Sequence, residues 1–352
     1  MNAAPPVLDQ LGRPLRDLRI SVMDRCNLRC PYCMPEEKFG PSYRFLPPAE
    51  RLDFDEVTRL ARLAVSLGVS KIRLTGGEPL LRPHLPQLVG RLAVLEGVRD
   101  LALTTNGVLL ARQAKALRQA GLSRVTVSLD ALDDGVFAAM SGHRGAAATV
   151  VAGLEAALEA GFPGGVKLNS VVRRGVNEGE VVKLARWGRD HGVPVRFIEY
   201  MDAGTRNGWN RAEVVPALEI KRLAEQLGPL EPLVPAYRGE VARRWRYKDG
   251  QGEIGLISSV TQPFCSGCTR MRLSSDGKLY GCLFATKGVD VRALLRAPTP
   301  ATDEAIVAVL ARFWGARTDR YSELRGQGRA QDPQTADGVA APGRIEMNYI
   351  GG

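Results

Sequence analysis

Hydrophobic and polar positions follow a repeating pattern from about residue 18 to residue 200. Short runs rich in Val, Ile and Leu predict buried strands. These six runs cover residues 18–22, 71–75, 101–105, 124–129, 166–172 and 195–199. The stretches between them are amphipathic or alanine-rich, which predicts helices, and several end at a glycine such as Gly68 or Gly161, a residue that accepts the left-handed conformation at a helix end.

Strands that alternate with helices at this spacing predict parallel β/α units. A closed TIM barrel needs eight such units, whereas this pattern supplies six. We therefore predict an α/β fold, an open partial (β/α)6 TIM-like barrel followed by a smaller C-terminal β-rich region. A doubly wound parallel sheet is the alternative.

The pattern changes after about residue 205. Short runs at 241–247, 253–257, 269–273 and 278–284 predict strands, and the Asp276-Gly277 pair predicts a hairpin turn between the last two. A helix is expected near 303–313, and residues 326–343 are polar and rich in Gly, Pro and Ala. The expected organisation is a barrel domain over 1–205, a β-rich region over 206–325 and a mobile tail over 326–352 that ends in Gly-Gly.

Composition narrows the class of protein. No apolar run in the 352 residues reaches the length of a membrane-spanning helix, and the first residues lack the pattern of a signal peptide. A cytoplasmic location without membrane contact is therefore expected. The net charge of +10 suits an anionic partner. Basic residues form short clusters, such as Arg270 with Arg272, rather than long runs, which favours a small anion over nucleic acid.

Three of the six cysteines lie within eight residues, in the stretch DRCNLRCPYC. In a reducing compartment, clustered cysteines are more often metal ligands or catalytic groups than disulfides. Structural zinc takes four ligands, and the histidines His84, His143 and His191 are all remote in sequence. A [4Fe–4S] cluster held by three thiolates keeps one iron open. This spacing, C-x3-C-x2-C, favours such a cluster over three structural cysteines.

The other three cysteines are spaced C-x2-C-x13-C. A zinc knuckle is one interpretation, although the segment offers no fourth ligand. The alternative is a second [4Fe–4S] cluster with an open iron that faces the barrel and binds substrate.

Polar and small residues follow every predicted strand of the barrel. The cysteine loop follows the first strand, GGEP (76–79) the second, TTNG (104–107) the third and SLD (128–130) the fourth. The fifth strand carries Lys167 and Asn169, and the sixth ends in EYM (199–201). Since active sites of parallel β/α folds lie at the carboxyl ends of the strands, we expect these residues to share one site.

The cysteine loop after a first barrel strand, with Tyr32 before the last cysteine, resembles the radical S-adenosylmethionine (SAM) superfamily. The resemblance implies that the open iron binds the methionine part of SAM. It also implies that one electron cleaves SAM to methionine and a 5′-deoxyadenosyl radical. GGEP is similar to the superfamily's strand-two motif for the SAM amino group, where glycines allow close approach and Glu78 accepts from an ammonium.

Within this superfamily, nearly the whole chain resembles the GTP 3′,8-cyclases of molybdenum cofactor biosynthesis. The similar segments are DRCNLRCPYCMP, RLTGGEPLLR, TTNG, VSLD, VKLNSVV, RFIEYM, CSGCTRMRLSSDGKLYGCLF and the terminal double glycine. The resemblance implies conversion of GTP to (8S)-3′,8-cyclo-7,8-dihydroguanosine 5′-triphosphate, the first step of that pathway.

The resemblance also implies roles for individual residues. The ligands of the SAM cluster would be Cys26, Cys30 and Cys33, and those of the substrate cluster Cys265, Cys268 and Cys282. The contacts to SAM would be made by Tyr32, Gly76, Gly77, Glu78, Ser128 and Met201. The contacts to GTP would be made by Arg19, Arg73, Thr104, Lys167, Arg196, Arg270, Met271 and Arg272. Catalytic roles would fall to Arg19, Gly351 and Gly352, with the tail reaching the active site.

The residues themselves agree with an anionic substrate. Arginine's planar fork suits phosphate, and Arg270 and Arg272 lie two apart, hence on one face of a strand. One such arginine alone would be interpreted as a surface charge, and a terminal Gly-Gly alone as a loose end. Six basic groups on predicted strands are more consistent with one cavity.

Three other functions remain alternatives. A radical SAM peptide-maturing enzyme usually has more cysteines near its C-terminus. An iron–sulfur electron carrier or sensor would not need GGEP, and a nucleic-acid-modifying radical SAM enzyme would not need the second trio. The resemblance further implies a reductant as electron donor, a downstream cyclic pyranopterin monophosphate synthase, and a homodimer.

Overall fold

The computed structural model describes residues 7–237, 239–327 and 343–352. Its twelve described strands form one sheet. They are β1 Asp17–Ser21, β2 Lys71–Thr75, β3 Asp100–Thr105, β4 Arg124–Ser128, β5 Val166–Val172, β6 Val195–Glu199, β7 Leu230–Pro232, β8 Arg243–Tyr247, β9 Glu253–Ile257, β10 Arg270–Leu273, β11 Lys278–Tyr280 and β12 Val289–Asp290.

The six strands β1 to β6 lie side by side in chain order, and all their pairings are parallel. A doubly wound sheet would reverse direction at a switch point, and this order does not. The predicted partial (β/α)6 barrel is thus confirmed. Over the described residues the sheet is open, because its edge strands β12 and β7 do not pair with each other.

The C-terminal strands extend this sheet at both edges. Strand β10 pairs in parallel with β1, and β9 pairs in parallel with β6. Antiparallel pairs then complete the order, with β11 and β12 beyond β10, and β8 and β7 beyond β9. Because β10 follows the first two cysteines of the second trio, this pairing brings that trio against β1.

Eleven described α-helices accompany the strands. They are α1 Phe54–Ser66, α2 Leu85–Ala93, α3 Leu110–Gln119, α4 Asp134–Ser141, α5 Ala147–Ala160, α6 Glu180–Asp190, α7 Ala217–Ala224, α8 Arg292–Leu295, α9 Asp303–Gly315, α10 Tyr321–Gly326 and α11 Met347–Ile350. Local signals fix their ends. Asp53 and Glu56 form a capping box at the start of α1, and Gly161 ends α5 with a φ of 66°.

The strands have two different faces. Residues such as Leu18 and Ile20 of β1 are buried in the hydrophobic core together with side chains of the helices, among them Leu60 of α1. The alternate residue Arg19 faces the interior cavity. Period-two alternation therefore separates an apolar core from a cavity with charged walls.

Two segments show where the sequence pattern was least informative. Helix α4 was not predicted, because it is short and is set by the Asp133 cap rather than by a clear apolar stripe. Of the tail expected to be mobile, residues 328–342 lie outside the described residues. Residues 343–352 are described, and Asn348 and Ile350 of α11 are buried. Among the described residues, no helix is long and apolar enough to cross a membrane.

Candidate active site

The barrel encloses a cavity of about 340 Å³ that receives side chains from both halves of the chain. Eighteen of the residues predicted for the site line it. They are Arg19, Cys26, Cys30, Tyr32, Cys33, Arg73, Gly76, Gly77, Thr104, Ser128, Arg196, Met201, Cys265, Cys268, Arg270, Arg272, Cys282 and Gly352. Both cysteine trios and the arginines thus share one chamber.

The first trio lies in the loop between β1 and α1. A turn holds this loop, because the amides of Cys33 and Met34 both donate to the carbonyl of Cys30, at 2.9 and 2.8 Å. The Sγ of Cys26 accepts from the amide of Leu28 at 3.4 Å and from Nδ2 of Asn106 at 3.6 Å. Such donors stabilise sulfur once it carries negative charge.

Burial keeps these three cysteines protonated in the protein alone. It raises the pKa of Cys26 to about 11, and it raises the pKa of Cys30 and of Cys33 as well. Neighbouring cysteines add to the effect at Cys30 and Cys33. A bound metal replaces the thiol protons, so this loop is suited to an iron–sulfur cluster rather than to three free thiolates.

The second trio lies beside β10 and β11. Burial acts to raise the pKa of Cys268, but Arg270 and Arg317 outweigh it and lower that pKa to about 6. Arg270 donates to the Cys268 Sγ from Nε at 3.4 Å and from Nη2 at 3.3 Å. Burial raises the pKa of Cys282 to about 11, although the amide of Phe284 donates to its sulfur at 3.4 Å. The two trios therefore differ, since the second includes one thiolate that neighbouring cations stabilise.

The donor set of each trio fits a [4Fe–4S] cluster. All six cysteines are free and partly accessible. In the parts of the chain that the structure describes, no three His, Cys, Asp or Glu side chains are placed to hold one metal ion. In a four-iron cluster each thiolate binds a different iron, so its ligands stand further apart than those of a single ion.

The neighbouring backbone leaves no room for a side chain at either glycine of GGEP. Gly76 has a φ of 152°, and an added Cβ would overlap the carbonyl oxygen of Met23. The amide of Gly77 donates to that same oxygen at 2.6 Å. A Cβ on Gly77 would lie 2.6 Å from the carbonyl carbon of Arg25. The turn after β2 thus packs directly on the backbone that leads into the cysteine loop.

We expect Gly77→Ala to destabilise the fold by about 1–3 kcal/mol, as overpacking does. The backbone of Arg25 cannot give way as a flexible side chain would. Urea unfolding under anaerobic conditions measures the loss. Gly179→Ala is the matched control, because Gly179 has a φ of −67° and no atom within 4 Å of an added Cβ. Equal stability of the two variants would contradict this account of the turn.

Four residues predicted for the site do not line the cavity. Glu78 is fully buried, and its carboxylate accepts from the Leu80 amide, the Thr105 hydroxyl and the Asn106 amide at 2.7–2.9 Å. Through these bonds Glu78 connects the loop after β2 to the loop after β3. Met271 is buried on the other face of β10, as alternation requires. The remaining two are Lys167 and Gly351.

Arginines dominate the charge of the cavity wall. Burial, together with Arg272 and Arg270, lowers the pKa of Arg19 to about 9. Burial and Arg19 lower the pKa of Arg73 to about 9, and its guanidinium donates to the Thr104 hydroxyl at 2.7 Å. Pairing of β1 with β2 and β10 sets Arg19 beside Arg73 and Arg272. At neutral pH this wall stays positive, and its charges repel one another.

Three further residues of the cavity wall have no assigned role, namely Asn106, Asp130 and Arg317. Asn106 contacts Cys26, as described above. Asp130 accepts from the Tyr32 hydroxyl at 2.7 Å and from the Val171 amide at 2.8 Å, and burial raises its pKa to about 6. Both follow a strand end, the signal that predicted their position on this rim but not their contacts. Arg317 lies far from any barrel strand in sequence, and no local signal marks it.

The C-terminal segment reaches the cavity. Asn348 donates to the Asp24 carbonyl at 3.0 Å, the Tyr349 hydroxyl donates to Asp276, and Arg272 donates to the Gly351 carbonyl. Gly351 has a φ of 73°, and an added Cβ would overlap Thr75. Gly352 lines the cavity. The tail is thus held at several points along its last five residues.

Comparison with known proteins gives two family matches. Residues 20–188 match the Radical SAM superfamily, and residues 193–323 match Molybdenum Cofactor Synthesis C. Curated relatives named GTP 3′,8-cyclase are similar over nearly their full length. The protein of Acidothermus cellulolyticus is 54% identical over 99% of both chains, and that of Xanthomonas axonopodis pv. citri is 51% identical over 99% of both.

Solved structures show the same fold. Streptococcus suis SuiB bound to S-adenosylmethionine is similar with a TM-score of 0.60 over 90% of this chain and 68% of that chain. SuiB bound to the precursor peptide SuiA gives 0.57 over 90% and 67%. Sequence identity is 16% in both cases, so these likenesses concern the fold alone.

Proposed function

The chain belongs to the GTP 3′,8-cyclase family, and we propose from this premise how its residues divide the work. The enzyme converts GTP to (8S)-3′,8-cyclo-7,8-dihydroguanosine 5′-triphosphate, the first step of molybdenum cofactor biosynthesis. It uses SAM and two [4Fe–4S] clusters. The alternatives of peptide maturation, electron transfer and nucleic-acid modification do not account for this family membership.

Cys26, Cys30 and Cys33 would hold the SAM cluster, which when bound supplies the electron that cleaves SAM. Tyr32, Gly76, Gly77, Ser128 and Met201 would bind SAM, and their common position on the cavity wall supports this. Glu78 would act indirectly, by fixing the loops after β2 and β3.

Cys265, Cys268 and Cys282 would hold the substrate cluster. GTP would bind between the two trios, its triphosphate against Arg19, Arg73, Arg196, Arg270 and Arg272, with Thr104 orienting Arg73. Lys167 on β5 would add positive charge near Arg196, and Met271, which is buried in the core, would anchor β10. Enclosure in the barrel would keep water from the radical.

One observation carries this proposal: the positive charges of the wall are buried beside one another. Desolvation by burial, together with their mutual repulsion, lowers the pKa of Arg19 and of Arg73. An anion of several negative charges bound among these arginines would screen their repulsion, and its attraction would offset the cost of their desolvation. A triphosphate has the charge and the acceptor geometry that such a set of arginines fits.

A pH experiment tests the part assigned to Lys167. Burial, Arg196 and Arg124 lower the pKa of this side chain to about 8. Bound triphosphate favours the protonated form and raises that pKa, so GTP binding takes up protons near pH 8 and weakens as pH rises further. Because the Lys167 side chain is neutral in about half of the molecules at pH 8, we expect it to take up about half a proton per GTP bound.

Calorimetry of GTP binding at pH 8, in two buffers of different ionisation enthalpy, measures this uptake. We expect this uptake to fall in Lys167→Met, where only Arg19 and Arg73 still contribute, and to persist in full in Lys248→Met, which removes an exposed lysine. The same uptake in all three proteins would contradict a role for Lys167 in binding GTP.

We further propose the setting in which the enzyme works. The reaction class is that of a lyase, a reductant supplies electrons, and a cyclic pyranopterin monophosphate synthase consumes the product. We propose a cytoplasmic homodimer without nucleic-acid or membrane partners, organised as a barrel domain over 1–205, a cluster-binding region over 206–325 and a tail over 326–352. Free, clustered cysteines support a reducing compartment.

A further inference from the structure

Behind the second trio lies a buried group of three charged residues, Asp9, Arg13 and Arg317. Each is at most 6% exposed. The Oδ2 atom of Asp9 accepts from Arg13 Nε at 2.6 Å and from Arg317 Nη1 at 3.2 Å. Its Oδ1 atom accepts the amides of Leu11 and Arg13, both at 2.9 Å. Asp9 therefore fixes both guanidiniums, and we call these three residues the clamp.

The clamp is bonded to the backbone of the cysteine segment. Arg13 Nη1 donates to the carbonyl of Cys265 at 2.9 Å and to that of Asp319 at 2.7 Å. Arg317 donates from Nη1 to the carbonyl of Cys268 at 3.0 Å and from Nε to that of Gly281 at 2.8 Å. Gly281 precedes Cys282, so the clamp contacts the backbone at or next to every cysteine of the trio.

Arg317 also contacts a ligand atom itself. Its Nη2 donates to the Sγ of Cys268 at 3.2 Å. The clamp contains two cations and one buried carboxylate, which leaves one positive charge. Asp319 lies 3.5 Å from Arg317 Nε, but its side chain is 38% exposed and compensates little. The indole of Trp314 covers the guanidinium of Arg317, whose central carbon lies 4.7 Å from the centre of the indole ring. A buried cation needs an anion beside it, and the Cys268 sulfur has that position.

We infer that the clamp positions the second trio and that Arg317 sets the reduction potential of the cluster bound there. Reduction adds negative charge to a cluster, and a fixed cation with an N–H···S bond stabilises that charge. The inference rests on the proposed second cluster. It assigns Asp9, Arg13 and Arg317 as positioning residues. Arg13 is 252 residues from Cys265, whose carbonyl it contacts, and Asp9 is 308 residues from Arg317.

The test uses full-length protein in which Cys26, Cys30 and Cys33 are replaced with alanine, so that only the second cluster can form. Iron and sulfide per chain, the electron paramagnetic resonance spectrum and the midpoint potential are measured anaerobically. In this background we compare Arg317→Gln, Arg317→Lys and Asp9→Asn. Arg59→Gln is the control, since Arg59 forms a similar bond to Asp303 at 2.8 Å far from the trio.

We expect Arg317→Gln to lower the one-electron reduction equilibrium constant at least tenfold, which is 59 mV, or to lose the cluster. Arg317→Lys is expected to recover cluster loading, because it keeps the charge. Asp9→Asn is expected to shift the potential and the spectrum in part, while Arg59→Gln changes neither. Unchanged iron, spectrum and potential in Arg317→Gln would overturn the inference. If the parent protein binds no cluster, the proposed function fails and the clamp fails with it.

Discussion

Replacing Cys30 with alanine is expected to abolish SAM cleavage while the second cluster remains. The Cys30 carbonyl accepts the amides of Cys33 and Met34, which fixes Cys30 in the turn, and the loop contains no fourth cysteine to replace it. About half of the bound iron should be lost. Formation of 5′-deoxyadenosine should fall at least about a thousandfold, which corresponds to roughly 4 kcal/mol in the barrier.

Cys268→Ala is the matched comparison, because it removes one thiolate from the other trio. This variant should also lose about half of its iron, but it should keep the SAM cluster. We expect it to cleave SAM slowly without regard to GTP and to form no cyclised product. Iron analysis and chromatography of 5′-deoxyadenosine measure both variants. If Cys30→Ala still cleaved SAM, or if both variants behaved alike, the assignment of the trios would be contradicted.

Deleting Gly351 and Gly352 is expected to abolish turnover while both clusters remain. Arg272 donates to the Gly351 carbonyl, and Gly352 forms part of the cavity wall. Without them Arg272 loses a fixed partner and the chamber opens to water. We expect kcat/KM to fall at least about a hundredfold, or roughly 2.7 kcal/mol. Anaerobic turnover assays and iron analysis measure the two effects separately.

Two substitutions separate the role of the tail from its mere presence. Gly351→Ala keeps the chain length, but its Cβ would overlap Thr75 in a backbone conformation that favours glycine. It should reduce turnover strongly. Gly343→Ala is the control in the same segment, because its Cβ would make an ordinary contact with the side chain of Thr205 at 3.5 Å. Normal turnover in the deletion variant would show that the tail has no part in the reaction.

The sequence predicted the barrel because its information is local. The apolar runs of β1 to β6 and the helices between them repeat at the spacing of β/α units, and parallel strands put their loops on one rim. The pairing of β10 with β1 joins residues such as Asp17 and Arg270. No local pattern encodes a contact over that separation, so the way in which the second trio joins the site had to come from the structure.

The same distinction applies within the site. Cysteine spacing marked both trios, and strand ends marked Ser128 and Thr104. The part played by Glu78 could not be read from GGEP, because it depends on Thr105 and Asn106 of the next loop. Arg317 follows no motif and becomes significant only through its bonds to Cys268.

The central claim is tested most directly by measuring 5′-deoxyadenosine from the reconstituted, reduced enzyme with SAM and with GTP, ATP or no nucleotide. We expect strong formation with GTP, together with a 3′,8-cyclised product, and little with ATP or without nucleotide. Formation that does not depend on GTP would retain radical SAM chemistry but contradict the cyclase. No formation from protein with both clusters in place would contradict the account as a whole.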